Sequence, residues 1–355
     1  MKKTSNLSEK TNLISKNKPL LTKTSKEKII SRDKSKQLKL CAELSDMIVY
    51  FKSINFRGFN HADHKFYNIS SFNETKAKWL INKSNDEALV HHEKHLSRVY
   101  PGASRTNSSN FDPTIFWASG FQMIAINYQT TGVEREIYFG KFKQNGNCGF
   151  VRKPDFIANF SKIKDLKLIK KLIFENYFTV NKLGCQSKPR RYKINIITGQ
   201  QLPKPRSKLQ GEIVDPFVRV DIYGDERDKI QYETEWVPNN GFNPFWDDYT
   251  EIIVNHPDVA MIRFSVWDKD AVTSNDFLGQ YSLPLTCCQV GYRHINLEDE
   301  NGRALRPASI FVHIEFEVLE KFDVTERKKR NSSIASTHKQ NVKKTIELGK
   351  FAEEL

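Results

Sequence analysis

Oxygen-bearing side chains stand near the ends of short apolar runs in the second half of the chain. These candidates share a carboxylate or amide oxygen and are Asp215, Asn239, Asp268, Asp270 and Asp276. Carboxylates carried on loops suit Ca²⁺, which takes about six to eight oxygen ligands, better than Zn²⁺. Asp and Asn are also common turn residues beside strands, so a calcium site and ordinary turns both explain the pattern.

Three histidines, His91, His92 and His95, lie close together in a helical stretch. His91 and His95 have the i, i+4 spacing of a metal-binding pair, but the second pair, His92 and His95, is one residue too close for the H-E-x-x-H motif. We interpret all three as exposed helix residues. The sequence contains no P-loop and no G-x-S-x-G motif, so its motifs alone give no catalytic group.

The first half of the chain alternates strands with helices. Apolar runs predict strands at residues 47–51, 67–72, 97–100 and 122–128. One helix is predicted to open after Asn73 as its N-cap, a second spans 86–96, and a short third begins at Asp112-Pro113. This alternation is typical of a parallel α/β sheet. Because a (β/α)₈ barrel needs eight strands over about 250 residues, the pattern indicates half a barrel.

The second half is all β. Alternating apolar and polar residues predict strands at residues 193–197, 217–223, 252–254, 261–267 and 310–316. Turn clusters rich in Asn, Gly and Pro separate them. Short strands at this spacing are typical of a β-sandwich.

Residues 158–190 connect the two halves. Leu166, Ile169 and Ile173 fall on one side of a helical wheel and lysines on the other. The pattern fits a linker helix packed on its neighbours, which we favour, and also a helix lying on a membrane surface. The predicted domains are residues 1–40, 41–157, 158–190, 191–320 and 321–355.

The chain has 355 residues and a formal net charge of +14, concentrated at its two ends. Residues 1–40 are basic and polar, and we predict that they are disordered. The tail over 321–355 is also basic. Basic tails attract acidic lipids or nucleic acid. Since the middle of the chain is close to neutral, we expect no nucleic-acid partner.

The cellular compartment follows from two further features. The basic start of the chain is not followed by the apolar stretch of a signal peptide. The five cysteines have no metal-site spacing and indicate reduced thiols. We therefore expect a cytoplasmic protein that binds peripherally at the cytosolic face of membranes.

Several longer motifs resemble a known family. The second-half motifs lie at 200–203, 213–216, 239–246, 275–280 and 291–294, and they resemble a C2 domain. The first-half motifs lie at 44–50, 71–72, 95–101, 107–110, 116–117, 122–129, 144–146 and 149, and they resemble a Y-box. Together, and in this order, they are similar to the C-terminal part of eukaryotic phosphoinositide-specific phospholipases C of the delta and zeta kind. The resemblance implies the second half of a TIM barrel followed by a C2-type antiparallel sandwich.

The resemblance also implies roles for residues of the first half. In this family the residues that match Ser71 and Arg98 contact the 4-phosphate of the inositol headgroup, and the residue that matches Tyr100 lies against the inositol ring. An arginine suits this role because its guanidinium forks onto phosphate oxygens. The substrate implied is phosphatidylinositol 4,5-bisphosphate, which the family cleaves to diacylglycerol and inositol 1,4,5-trisphosphate.

For the second half, the resemblance implies Ca²⁺ bound between loops and anionic membrane lipids as partners. The family's calcium positions fall on Ile213, Asp215, Asn239, Asp268, Lys269, Asp270 and Asp276, with main-chain carbonyls at Ile213 and Lys269. The family's X-box, which carries two catalytic histidines and a catalytic Ca²⁺, is not found in these 355 residues. We therefore expect no catalytic residue and no turnover in this chain alone. The alternative is a non-catalytic, Ca²⁺-dependent lipid-docking or scaffold protein.

Overall fold

The computed structural model describes residues 41–62, 64–162, 188–205, 213–270 and 274–319. Our predictions for the first forty residues, for the connector helix through Leu166 and for the basic tail lie outside the described residues. The chain divides into two compact units, residues 1–51 and 52–355. Among the described helices, none has the length and apolarity needed to cross a membrane.

The described part of the first unit contains one short helix, α1, at Ala42–Asp46. The strand predicted at 47–51 is wrong, because these residues follow the helix as a turn and irregular chain with a bend, and their apolar side chains are exposed. An apolar run predicts a strand only where a neighbouring strand supplies backbone partners. Such a partner is first found at the start of the second unit, where Lys52–Ser53 pairs in parallel with Asn68 and Ile69.

In the described part of residues 52–162, four parallel strands form one sheet in the order β1-β2-β3-β4. The strands are β1 (Lys52–Ser53), β2 (Asn68–Asn73), β3 (Leu96–Tyr100) and β4 (Met123–Ile124). The helices are α2 (Glu74–His92), α3 (Thr114–Ala118), α4 (Val133–Phe142) and α5 (Asp155–Ala158). The predicted parallel half-barrel is therefore confirmed.

Helix α2 begins where the sequence predicts. The Oδ1 atom of Asn73 accepts a hydrogen bond from the backbone N–H of Lys76 at 2.8 Å, which is an N-cap. The two helices predicted between β2 and β3 are one helix with a kink at Ser84, whose φ of −154° and ψ of 57° are not helical. Its apolar face, including Ala77 and Leu80, packs in the core beneath the sheet.

In the described part of residues 188–319, eight strands form a β-sandwich, as predicted. They are β5 (Arg190–Gln200), β6 (Pro216–Tyr223), β7 (Ile230–Glu233), β8 (Phe245–Val254), β9 (Met261–Asp268), β10 (Asp276–Pro284), β11 (Gly291–Glu298) and β12 (Ala304–Val318). The order is β7-β6-β9-β10-β11-β12-β5-β8, and β10 pairs with β11 only at Gln280 and Glu298. The sheet folds over at this weak link, so that Ile194, Phe264 and Val312 from both layers share one core.

The half-barrel and the sandwich share a buried junction between α4 and the strands β9 and β10. Arg263 of β9 is 2% exposed; its Nε donates to Glu136 of α4 at 2.6 Å and its Nη1 to Asp221 of β6 at 3.1 Å. Burial raises the pKa of Glu136 and of Asp221, and this effect is larger than the opposite effect of the positive charge of Arg263, which lowers both pKa values. Gly140 of α4 lies so close to β10 that a Cβ would stand 2.7 Å from the carbonyl oxygen of Ser282.

Candidate functional site

The parallel sheet has one face covered by helices and one exposed face. Phe72 and Val99 lie on the covered face. Because side chains alternate along a strand, Ser71 and Arg98 lie on the other face, where both are exposed. The two are register partners on the neighbouring strands β2 and β3. The structure thus brings together two of the three residues predicted to bind a headgroup.

The third, Tyr100, lies two residues beyond Arg98 on the same face. The Cζ atom of Arg98 is 5.2 Å from the centroid of the Tyr100 ring, a cation–π contact. This contact limits the guanidinium's freedom while the side chain stays exposed. Strands β2 and β3 end at Asn73 and Tyr100, so the three side chains lie at or near the carboxyl edge of the sheet, where barrel enzymes place their sites. Such a group can bind an anion that carries a ring.

The predicted calcium residues lie at one end of the sandwich. The backbone N–H of Asp215 donates to Oδ1 of Asp268 at 2.7 Å, and Oδ1 of Asp215 accepts from the N–H of Asn239 at 2.7 Å. The N–H of Lys269 donates to the carbonyl oxygen of Asp215 at 3.0 Å. These bonds tie the loops before β6, before β8 and after β9 to one another.

The remaining members lie beside them. Asp276 begins β10 as the register partner of Asp268, the N–H of Asp270 donates to Oδ1 of Asn275 at 3.1 Å, and Ile213 is 50% exposed. The chemical type of these donors, carboxylate and carbonyl oxygens, fits Ca²⁺. In the described residues, which omit 271–273, no three metal-ligating side chains are already grouped to hold an ion.

Comparison with known proteins identifies both halves. Residues 44–156 match the family described as "Phosphatidylinositol-specific phospholipase C, Y domain", and residues 190–300 match the C2 domain family. The chain carries a phospholipase C Y domain and a C2 domain. The resemblance to the C-terminal part of the delta phospholipases is therefore confirmed.

Relatives named "1-phosphatidylinositol 4,5-bisphosphate phosphodiesterase" match both domains. The delta-4 protein of Homo sapiens is 46% identical over 277 residues, which cover 78% of this chain and 34% of that protein. The delta-1 protein of Rattus norvegicus is 40% identical over 286 residues, 80% of this chain and 36% of that protein. The chain thus spans about a third of the length of these relatives.

A solved structure supports the same architecture. The crystal structure of S. officinalis PLC21 superposes with a TM-score of 0.69 at 26% sequence identity. The match covers 88% of this chain and 38% of that one. The half TIM barrel followed by a C2 sandwich, predicted from the sequence, is therefore confirmed.

The Y domain contains an ion pair that the sequence did not reveal. Glu74, the first residue of α2, pairs through both carboxylate oxygens with Arg105 in the loop after β3. A first-turn glutamate is common in helices because it complements the helix dipole, and Arg105 lies in an irregular polar loop. Neither position carries a periodic signal, so only the folded loop shows the pair.

The histidines of the Y domain are not exposed helix residues, and that prediction is wrong. His91 and His92 are 6% and 1% exposed, because this end of α2 packs beneath the sheet. Their Nδ1 atoms lie 3.2 Å from the carbonyl oxygen of Phe59 and 3.0 Å from that of Ser119. Burial lowers the pKa of His91 to about 4 and that of His92 to about 3. His95 lies beyond the helix and stacks on His91 with a ring distance of 4.5 Å.

Proposed function

We propose that this chain is the headgroup-binding and membrane-docking part of a Ca²⁺-dependent phosphoinositide phospholipase C. The reaction is hydrolysis of phosphatidylinositol 4,5-bisphosphate to diacylglycerol and inositol 1,4,5-trisphosphate at the cytosolic face of a membrane. Homology to the delta relatives supports the reaction class. The observation that carries the proposal for this chain is the pairing of Ser71 with Arg98 beside the Tyr100 ring.

Each of the three residues has a physical role in this proposal. The guanidinium of Arg98 donates two parallel N–H groups to the oxygens of the 4-phosphate. The hydroxyl of Ser71, its partner across the strands, donates to the same phosphate. The ring of Tyr100 packs against the inositol and orients Arg98 through the cation–π contact. Together they bind and orient the headgroup, and they move no proton.

The chemical step requires groups that the family resemblance assigns to the X-half. Two histidines there would act as general acid and base, and Ca²⁺ would supply electrostatic stabilisation of the phosphoryl oxygens. The described sheet of the Y domain contributes four of the eight strands that a barrel needs. We therefore expect this chain by itself to bind the headgroup weakly and not to hydrolyse the lipid.

The C2 end supplies the docking function in this proposal. Asp215, Asn239, Asp268, Asp270 and Asp276 would hold Ca²⁺ with the carbonyl oxygens of Ile213 and Lys269. The bound ion would attract anionic lipid to a surface whose own carboxylates otherwise repel it. Ile213 and Phe242, at 50% and 69% exposure, place apolar side chains beside these loops.

Complementation tests the enzyme proposal. The full chain is mixed with a separately expressed X-half from a delta relative, and release of inositol trisphosphate from vesicles is measured with and without Ca²⁺. We expect turnover only with both halves and Ca²⁺, and we expect Arg98→Ala to abolish it. Arg152→Ala is the control, because Arg152 is an exposed arginine paired with Asp155. Turnover by the chain alone, or full activity of Arg98→Ala, would contradict the proposal.

A second candidate function is a non-catalytic, Ca²⁺-dependent lipid-docking or scaffold protein. The exposed apolar side chains beside the carboxylate loops favour docking as a function in its own right. Vesicles of phosphatidylcholine with and without anionic lipid are sedimented with the chain. Ca²⁺-dependent sedimentation that Asp268→Asn removes, together with no turnover after complementation, would favour the scaffold over the enzyme.

A further inference from the structure

The loop after β3 is fastened to the start of α2 by Glu74 and Arg105, here called the clamp. The Nε and Nη2 atoms of Arg105 donate to the two carboxylate oxygens of Glu74, the latter at 2.7 Å. The backbone N–H of Gly102 donates to Glu74 Oε1 at 2.9 Å. A carboxylate held by a forked arginine and a backbone N–H has a well-defined position.

The same arginine reaches further into its loop. Its Nη1 donates to the carbonyl oxygen of Asn110 at 2.6 Å and to Oγ of Ser109 at 3.0 Å. Asn110 in turn bonds the backbone of Asn127 in both directions, at 2.7 Å to its N–H and 3.1 Å to its carbonyl oxygen. The segments that follow β2, β3 and β4 are therefore joined at the carboxyl edge of the sheet.

The clamp adjoins the residues proposed to bind the headgroup. Glu74 directly follows Asn73, which is the register partner of Tyr100. Gly102, bonded to Glu74, lies two residues after Tyr100. A shift of this loop would therefore move the ring of Tyr100 and, through the cation–π contact, the guanidinium of Arg98.

We propose that Glu74 and Arg105 are positioning residues for the headgroup site, and that Arg105 is not itself a phosphate ligand. The inference rests on the proposed function. Four of the five N–H groups of Arg105 donate to Glu74, Ser109 and Asn110, so most of its hydrogen-bonding capacity is used within the protein. The charge of Glu74 offsets that of Arg105, which leaves Arg98 as the arginine that attracts an anion at this edge.

The ionisation of the pair supports this division of roles. Burial alone would raise the pKa of Glu74, but the hydrogen bonds from Arg105 and Gly102 lower it below its ordinary value. The same carboxylate raises the pKa of Arg105. Glu74 and Arg105 are therefore both charged at neutral pH, and their forked contact is kept beside the proposed headgroup site.

Two measurements on the 355-residue chain test the clamp. Hydrogen–deuterium exchange follows the amides of residues 102–110 in wild type and in Glu74→Gln, which removes the charge and keeps the shape. We expect faster exchange in this loop with an unchanged rate in the sandwich. Titration with inositol 1,4,5-trisphosphate, followed by ³¹P NMR, should show an affinity about tenfold weaker, the factor for loss of one charge-assisted pair.

A double-mutant cycle separates positioning from direct binding. If Arg105 acts only through the clamp, Arg105→Lys costs little further affinity once Glu74→Gln is present. An equal loss in both backgrounds, or unchanged loop exchange in Glu74→Gln, would overturn the inference.

Arg98→Ala tests the headgroup site itself. If this variant binds the trisphosphate as wild type does, the proposed function fails, while the exchange measurements on Glu74→Gln still test whether the clamp holds the loop. The matched control is Asp155→Asn, which breaks the exposed pair with Arg152.

Discussion

Arg98 and Arg263 place the same side chain in opposite surroundings. Arg98 lies exposed on the sheet of the Y domain, and its guanidinium carbon is 5.2 Å from the centroid of the Tyr100 ring, a cation–π contact. Arg263 is buried at the junction of the two domains, with carboxylates of Glu136 and Asp221 at 2.6 and 3.1 Å. The guanidinium of Arg98 is available to a ligand, whereas that of Arg263 is bound to carboxylates inside the protein.

The difference comes from desolvation. A buried guanidinium needs compensating charge, because removal from water costs far more than a surface ion pair returns. An exposed one keeps its water and exchanges it for phosphate oxygens when a ligand arrives. The comparison predicts that changes at the junction act on stability and that changes at the open face act on binding.

The largest effect on stability is expected for Arg263→Ala. The substitution leaves the carboxylates of Glu136 and Asp221 buried without their cation, which should lower the free energy of unfolding by about 3–5 kcal/mol. Urea denaturation measures this. Arg152→Ala, which breaks an exposed pair, should change it by less than about 1 kcal/mol.

The pH dependence of the Arg263→Ala variant sharpens the same prediction. Burial already raises the pKa of Glu136 and Asp221 in the native fold, and loss of the cation raises both further. A raised carboxyl pKa in the folded state means that stability falls as pH rises through that range. The deficit against wild type should therefore be larger at pH 8 than at pH 5. A deficit that does not change with pH would show that lost packing, and not stranded charge, dominates.

A second effect at the junction is steric. Gly140→Ala would place a Cβ 2.7 Å from the carbonyl oxygen of Ser282, which belongs to the backbone of β10 and cannot rotate away. We expect a loss of about 1–3 kcal/mol from this overpacking. Gly149→Ala is the matched control, because its Cβ would meet no atom within 4 Å. Equal unfolding midpoints for the two variants would contradict the tight junction.

The buried histidines of the Y domain should give a smaller, pH-dependent effect. The folded-state pKa values of His91 and His92, about 4 and 3, lie below the ordinary value of 6.5, so the unfolded chain binds protons first as pH falls. Stability should drop by about 1 kcal/mol per histidine between pH 6.5 and 5.5. His92→Asn, which can keep the bond to Ser119, should flatten this slope; the exposed-residue variant His294→Asn should not.

Much of the fold could be predicted from the sequence because its signals are local. Alternation along 217–223 and 261–267 predicts strands that the structure contains, and Asn73 predicts the N-cap of α2. Strands β7, β10 and β11 were not predicted: β7 is only four residues long, and Gly279 and the run of polar residues in β11 weaken the alternation of the other two. Each of β10 and β11 pairs mainly with the strand next to it in the chain, β10 with β9 and β11 with β12, so the weak alternation within the strand, and not the distance to its partner, is what hid them.

The candidate sites were predictable to different degrees. Ser71, Arg98 and Tyr100 were found through family motifs, and the structure then placed them on one face. The clamp could not be found, because Glu74 and Arg105 are separated by a helix and a strand and each looks ordinary in its own segment. The burial of His91 and His92 depends on how α2 packs, which a helical pattern of mixed polarity does not determine.

The smallest effect on stability is expected where the effect on binding should be greatest. Arg98→Ala removes an exposed side chain and one cation–π contact, so the free energy of unfolding should change by about 0.5–1 kcal/mol at most. The same variant should abolish binding of inositol 1,4,5-trisphosphate. Both are measured on one preparation, by urea denaturation and by ³¹P NMR titration, with Arg263→Ala as the opposite case. Destabilisation of Arg98→Ala comparable to that of Arg263→Ala would show that the open face is structural, and the contrast between the two arginines would no longer hold.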